Sequence, residues 1–188
     1  MPPCDPVRHH RRSIRLQGYD YRQVGAYFVT VCTHGREPVF GAIADDAMHL
    51  NAYGQIVAED WAWLADTFSY VDLDACIVMP NHVHGIIVIA DAADDMRIEE
   101  GALRAGEGGS STAPTQARLP LGRIVGAFKT MSTKHVNEWR ETPGVTLWQR
   151  NYYEHIIRDD DDLQRIREYI LTNPARWSED SEYVATPS

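Results

Sequence analysis

At 188 residues the chain is long enough to bury a core of its own without disulfides. Hydrophobic residues make up 44% and charged residues 24%, an ordinary soluble-globular balance, and no run approaches the ~18–20 apolar residues of a membrane span. The formal charge of -9 excludes a uniformly basic nucleic-acid binder, yet the charges are unevenly placed: Arg8, Arg11, Arg12, Arg15 and Arg22 crowd the N-terminus, while acids gather in 91–107 and 159–162. Local field outweighs net charge where the screening length is ~8–10 Å.

Residues 1–24, rich in Pro, Arg and His without a clean period, read as a basic arm. A first strand is expected over Ala26 to Thr33, where β-branched and aromatic residues follow one another. A short strand pair fits within Pro38 to Leu50, closed by a turn at Asn51 to Gly54. Ile56, Val57, Trp61 and Leu64 mark the apolar stripe of a helix from about Gln55 to Phe68. Two apolar runs, Tyr70 to Met79 and His82 to Ala90, flank Pro80-Asn81 and read as an antiparallel hairpin. Residues 91–120 are acidic, then rich in Gly and Ser, and are expected to form a flexible insertion. A second long helix is expected over Leu121 to Arg140, a strand over Thr146 to Ile157, and a last helix over Asp160 to Thr172. The aspartates 159–162 suit the N-terminus of that helix by dipole, and Asn173-Pro174 stops it. The resulting order, β-α-β-β-α-β-α, predicts an α+β ferredoxin-like fold: one antiparallel sheet with helices packed on one face.

Cys4, Cys32 and Cys76 are odd in number and form no CxxC pair, which points to reduced thiols and a cytoplasmic setting. The N-terminal arginines have no apolar segment behind them and so do not form a signal peptide.

The chemistry-bearing segments are two. In Met79-Pro80-Asn81-His82-Val83-His84 the histidines stand two apart in a strand, so both imidazoles leave the same face and come close enough to share one metal ion. The same pair can also be read as buried imidazoles satisfied by polar neighbours. In Tyr169-Ile170-Leu171-Thr172-Asn173-Pro174 the tyrosine and asparagine stand four apart on one helical face, presenting a phenol and an amide to a common spot. Taken alone, Tyr169 reads as a packing residue and Asn173 as a helix stop; only a metal nearby would make them a nucleophile and an oxygen ligand. Tyr152 and Tyr153 compete with Tyr169 as nucleophile; adjacent in a strand, they face opposite ways, one packing and one free to stack on a base. Trp148 reads as core, His155 as a strand-end histidine, and His9 and His10 as parts of the arm.

Four segments together resemble the single-tyrosine HUH transposases, in particular the REP-associated tyrosine transposases of bacteria. They are residues 10–16 (His-Arg-Arg-Ser-Ile-Arg-Leu), the Met79-to-His84 turn, residues 147–155 (Leu-Trp-Gln-Arg-Asn-Tyr-Tyr-Glu-His) and the Tyr169-to-Pro174 helix end. The likeness spans residues 10–90 and 121–177, and the insertion between is unmatched. It implies a ferredoxin-like transposase domain over 25–177, preceded by the arm and followed by a tail at 178–188. It implies further that His82, His84 and Asn173 hold a divalent metal, Mg or Mn, and that Tyr169 attacks a DNA phosphate to leave a 5′-phosphotyrosine and a free 3′-hydroxyl. The implied partner is single-stranded DNA carrying hairpin-forming, repetitive palindromic elements, contacted by Arg11, Arg12, Arg15 and Lys129. The chain is expected to be nucleoid-associated, off the membrane, and a monomer or homodimer. Two other classes stand beside this expectation: a non-catalytic hairpin-binding module, and a metal hydrolase of small substrates, which would require a third His or carboxylate in alternation with the pair.

Overall fold

The computed structural model describes residues 18–91 and 118–183. Arg11, Arg12 and Arg15, most of the expected insertion (92–117) and the end of the tail (184–188) lie outside the described residues.

Four antiparallel strands form the central sheet: β1 (Gly25–Cys32), β4 (Val71–Met79), β5 (His82–Ile89) and β6 (Tyr153–Ile157), in the spatial order β4-β5-β1-β6. β1 and β5 occupy the middle and are buried on both faces, which is why their sequences read as unbroken apolar runs. A separate hairpin pairs β2 (Gly41–Ala44) with β3 (Ala47–Leu50). Its two-residue turn puts Asp45 and Asp46 at φ 50 and 57, the left-handed pair that matches strand twist, in a residue type that tolerates it.

The helices are α1 (Ala52–Thr67), α2 (Leu121–Trp139) and α3 (Asp160–Thr172). Asn51 does not close a turn: its Oδ1 accepts the Gly54 N–H at 3.0 Å and caps α1, so the helix starts a few residues before the expected Gln55. Asp159 caps α3 in the same way, accepting the Asp162 N–H at 2.8 Å.

Helices cover both sides of the sheet. α1 and α2 seal the larger core, where Tyr27, Val29, Val31, Val83, Ile87 and Ile89 meet Val57, Trp61, Leu64, Ile124 and Phe128. The expectation of helices on one face holds for these two. α3 lies on the other face, its Ile166 and Ile170 packed on Phe28 and Ile86. Sequence periodicity gives each helix an apolar stripe but carries no label for which face of a doubly buried sheet receives it. A bulge in β4 between Leu73 and Cys76 accompanies the ion pair of Asp74 with Arg167, which ties α3 to that strand.

The last strand is shorter than expected. Residues 147–149 ladder against the end of β1, through His34 N–H to Leu147 O and Gln149 N–H to Cys32 O, and pairing resumes only at Tyr153. Between them the Lys129 ammonium takes the carbonyls of Gln149 and Arg150. Trp148 is core, 4% exposed, with its indole N–H donating to Ser132 Oγ at 2.9 Å.

Candidate active site

The β1–β5 register sets His84 opposite Thr30 and His82 opposite Cys32 on the face that α3 covers. Strand alternation aims both imidazoles the same way, and both residues are buried. Their Nε2 atoms stand 2.9 Å apart. Each ring is held from behind at Nδ1: His82 by Asn81 Oδ1 at 2.8 Å, His84 by Thr30 Oγ1 at 2.9 Å. Holding a ring by its outer nitrogen is what fixes imidazole orientation in metal sites. Trp177 packs on the His82 ring at a centroid distance of 5.8 Å.

α3 brings Tyr169 to the pair. Its hydroxyl lies 3.2 Å from His84 Nε2 and donates to Asp180 Oδ2 at 3.0 Å. Asn173, one turn on, donates through Nδ2 to the same carboxylate oxygen at 2.7 Å, so phenol and amide do share one spot, as their spacing predicts. Asn173 Oδ1 is buried and has no hydrogen-bond partner among the described residues. Among the three competing tyrosines only Tyr169 reaches the histidines. Tyr152 packs against the larger core, and Tyr153, 44% exposed, lies edge-on to Phe28 at 6.2 Å.

Asp180 is the residue that sequence reasoning missed. Thr172 ends α3, and Pro174–Glu179 form a 3-10 turn that folds the chain back over the site. Residues read as tail therefore supply a carboxylate whose Oδ2 is 3.6 Å from His84 Nε2 and whose side chain is fully covered. Its Oδ1 accepts the Glu182 N–H at 2.6 Å. Glu182 in turn pairs with Arg36 at 2.9 Å and accepts from the Cys32 thiol at 3.3 Å. The only sequence signal was the acidic Glu179-Asp180 pair after a proline turn, which resembles any solvated tail.

The electrostatics follow from this packing. Burial, with His84 close by, lowers His82 to about 3, so the ring is neutral at physiological pH. Burial raises the Asp180 carboxyl, but hydrogen bonds from His84, Asn173 and the Glu182 amide outweigh it and hold the group well below the usual carboxylate range. Tyr169 is raised, first by burial and then by the Asp180 charge beside it. Two imidazole nitrogens and a buried carboxylate make a donor set that fits a divalent cation. His82, His84 and Asp180 offer one ligand atom each within 4.8 Å of one another.

Other expectations resolve as follows. His155 pairs with Asp162 at 2.8 Å and is no part of the histidine cluster. The Lys129 ammonium donates to two backbone carbonyls, those of Gln149 and Arg150.

Comparison with known proteins places the chain. It is 40% identical over 179 residues to an uncharacterised protein of Haemophilus influenzae, covering 94% of each. The two belong to one family. A second Haemophilus influenzae protein, provisionally named a REP-associated tyrosine transposase, is 24% identical over 157 residues, covering 84% of this chain and 74% of the other. A solved REP-associated tyrosine transposase bound to a REP hairpin superposes with a TM-score of 0.54 at 17% identity, over 87% of this chain and 73% of that one. The α+β fold is thus the REP transposase fold. No protein-family model matches the chain. Among the described residues no helix is long and apolar enough to cross a membrane.

Proposed function

We propose that the chain is a metal-dependent tyrosine endonuclease and strand transferase acting on single-stranded DNA that carries hairpin-forming repeats. One observation carries the reading: the Tyr169 hydroxyl lies 3.2 Å from the Nε2 of His84, itself 2.9 Å from that of His82. A phenol on one element and two convergent imidazoles on another are brought together by tertiary folding alone. The likeness to a transposase bound to a REP hairpin supports the same reading.

In this reading His82, His84 and Asp180 would hold Mg or Mn, with the unpaired Asn173 Oδ1 as a further oxygen donor. A cation held there would supply Lewis-acid chemistry, polarising the scissile phosphate and easing charge onto the departing 3′ oxygen. Tyr169 is the nucleophile. Its oxygen attacks phosphorus, the bond to the 3′ oxygen breaks, and the 5′ phosphate stays on the ring, which conserves the ester for rejoining. In the resting site the phenol donates to Asp180 Oδ2. Burial and the Asp180 charge hold the phenol above its ordinary value, so positive charge brought beside the hydroxyl would favour loss of its proton to solvent. Arg11, Arg12 and Arg15 are the proposed contacts to the DNA backbone. Lys129, the fourth proposed contact, is anchored at its ammonium by the carbonyls of Gln149 and Arg150.

The test is to incubate the protein with a hairpin-bearing single strand and manganese. A covalent protein–DNA species is expected, and it disappears in Tyr169→Phe. Tight binding by the wild type without that species refutes the nuclease and leaves a hairpin-binding module.

A further inference from the structure

Asn81, between the turn proline and the first histidine, reads in the sequence as a turn former, but its side chain does something else. The residue is fully buried. Its Nδ2 donates to Arg36 O at 3.1 Å and to Glu182 O at 2.8 Å, while Oδ1 accepts from His82 Nδ1 at 2.8 Å. A carboxamide has two N–H bonds, and both are spoken for by carbonyl oxygens. Turning the amide over would set its oxygen against those two oxygens, so the group has one orientation. An amide oxygen accepts only. His82 must therefore carry a proton on Nδ1, and the neutral ring then leaves Nε2 bare, the tautomer a metal ligand requires.

His84 is held differently. Thr30 Oγ1 is a rotor that donates or accepts equally well. Two bare nitrogens 2.9 Å apart would face each other lone pair to lone pair. In the metal-free protein one Nε2 must carry a proton, and only His84 has a partner able to adapt to that. The two histidines are thus unequal by construction.

We propose that Asn81 is the positioning residue of the site: it locks His82 as the Nδ1–H tautomer and, with the same amide, fastens the backbone at Glu182 that sets Asp180 beside His84. The metal-binding part of this proposal rests on the function proposed above; the tautomer assignment does not. Asn81 touches neither phenol nor phosphate and acts only through its neighbours.

The experiment uses the full chain labelled with nitrogen-15 at histidine, without added metal. The His82 ring signals are identified by their loss in His82→Gln. In the wild type the His82 proton is expected on Nδ1; a proton on Nε2 overturns the proposal before any Asn81 variant is made. In Asn81→Ala the His82 ring is expected to populate both tautomers, and Mn2+ affinity, read by electron paramagnetic resonance of the free ion, to fall roughly 10–100-fold. Asn81→Asp keeps an acceptor for His82 but offers nothing to Arg36 O or Glu182 O. It should retain the Nδ1–H tautomer while amide exchange at Glu182 and Tyr183 accelerates. A folded Asn81→Ala with unchanged ring signals and unchanged Mn2+ affinity overturns the proposal. A wild type that shows the expected tautomer and binds Mn2+ yet never forms a covalent DNA species leaves the positioning role standing and removes only the nuclease.

Discussion

Gly85 follows the histidine pair in β5 and lies against Trp61 of α1. A Cβ built there would stand 2.3 Å from Trp61 Cζ2 and 2.8 and 2.9 Å from Cη2 and Cε2. Ordinary contact begins at 3.4 Å, so the indole would have to retreat by 3.4 − 2.3 = 1.1 Å. It has nowhere to go. Trp61 is 3% exposed and wedged edge-on against Phe128 at 5.2 Å. Gly85→Ala is therefore expected near the upper end of the overpacking range, about 3 kcal/mol. For a domain of this size that corresponds to a fall in Tm of roughly 6–12 °C. The assay is thermal unfolding followed by circular dichroism, with Trp61→Phe made alone and in combination. Phenylalanine lacks the ring atoms that collide, so the double variant should lose less stability than the sum of the singles, with a coupling of about 1 kcal/mol or more. A Gly85→Ala protein melting within about 1 °C of wild type, below any overpacking cost, would show that the sheet and α1 part easily and refute the reasoning.

His82→Ala is expected to abolish formation of the covalent DNA species while leaving hairpin binding within a few-fold of wild type, as measured by gel shift. Parallel loss of both activities would show that the histidine pair also shapes the binding surface. Asp74→Asn removes the ion pair that holds α3, and with it Tyr169, to β4. The Arg167 hydrogen bond holds Asp74 below its ordinary carboxylate value, so its contribution is present above the unfolded-state pKa and lost as pH falls through the folded one. Variant and wild type should therefore differ in Tm at neutral pH and converge in strong acid; a gap that persists below the carboxylate range points to packing instead.

Much of the fold was legible because it is written in local periods. The hairpin of β4 and β5, the bounds of α3, the aspartates at its start and the shared direction of His82 and His84 all follow from residues close along the chain. The pairing of Tyr169 with Asn173 was legible for the same reason, and the structure unites them on Asp180. Only the tertiary structure decided the rest. Which face of the sheet takes α3, which of three tyrosines meets the imidazoles, that Lys129 spends its charge on backbone carbonyls, and that Asp180 returns from an apparent tail are all matters of contacts between residues far apart along the chain. A period records how a segment divides its faces between core and water. It does not record which distant segment arrives to cover them, because that choice is made by packing and burial across the whole molecule.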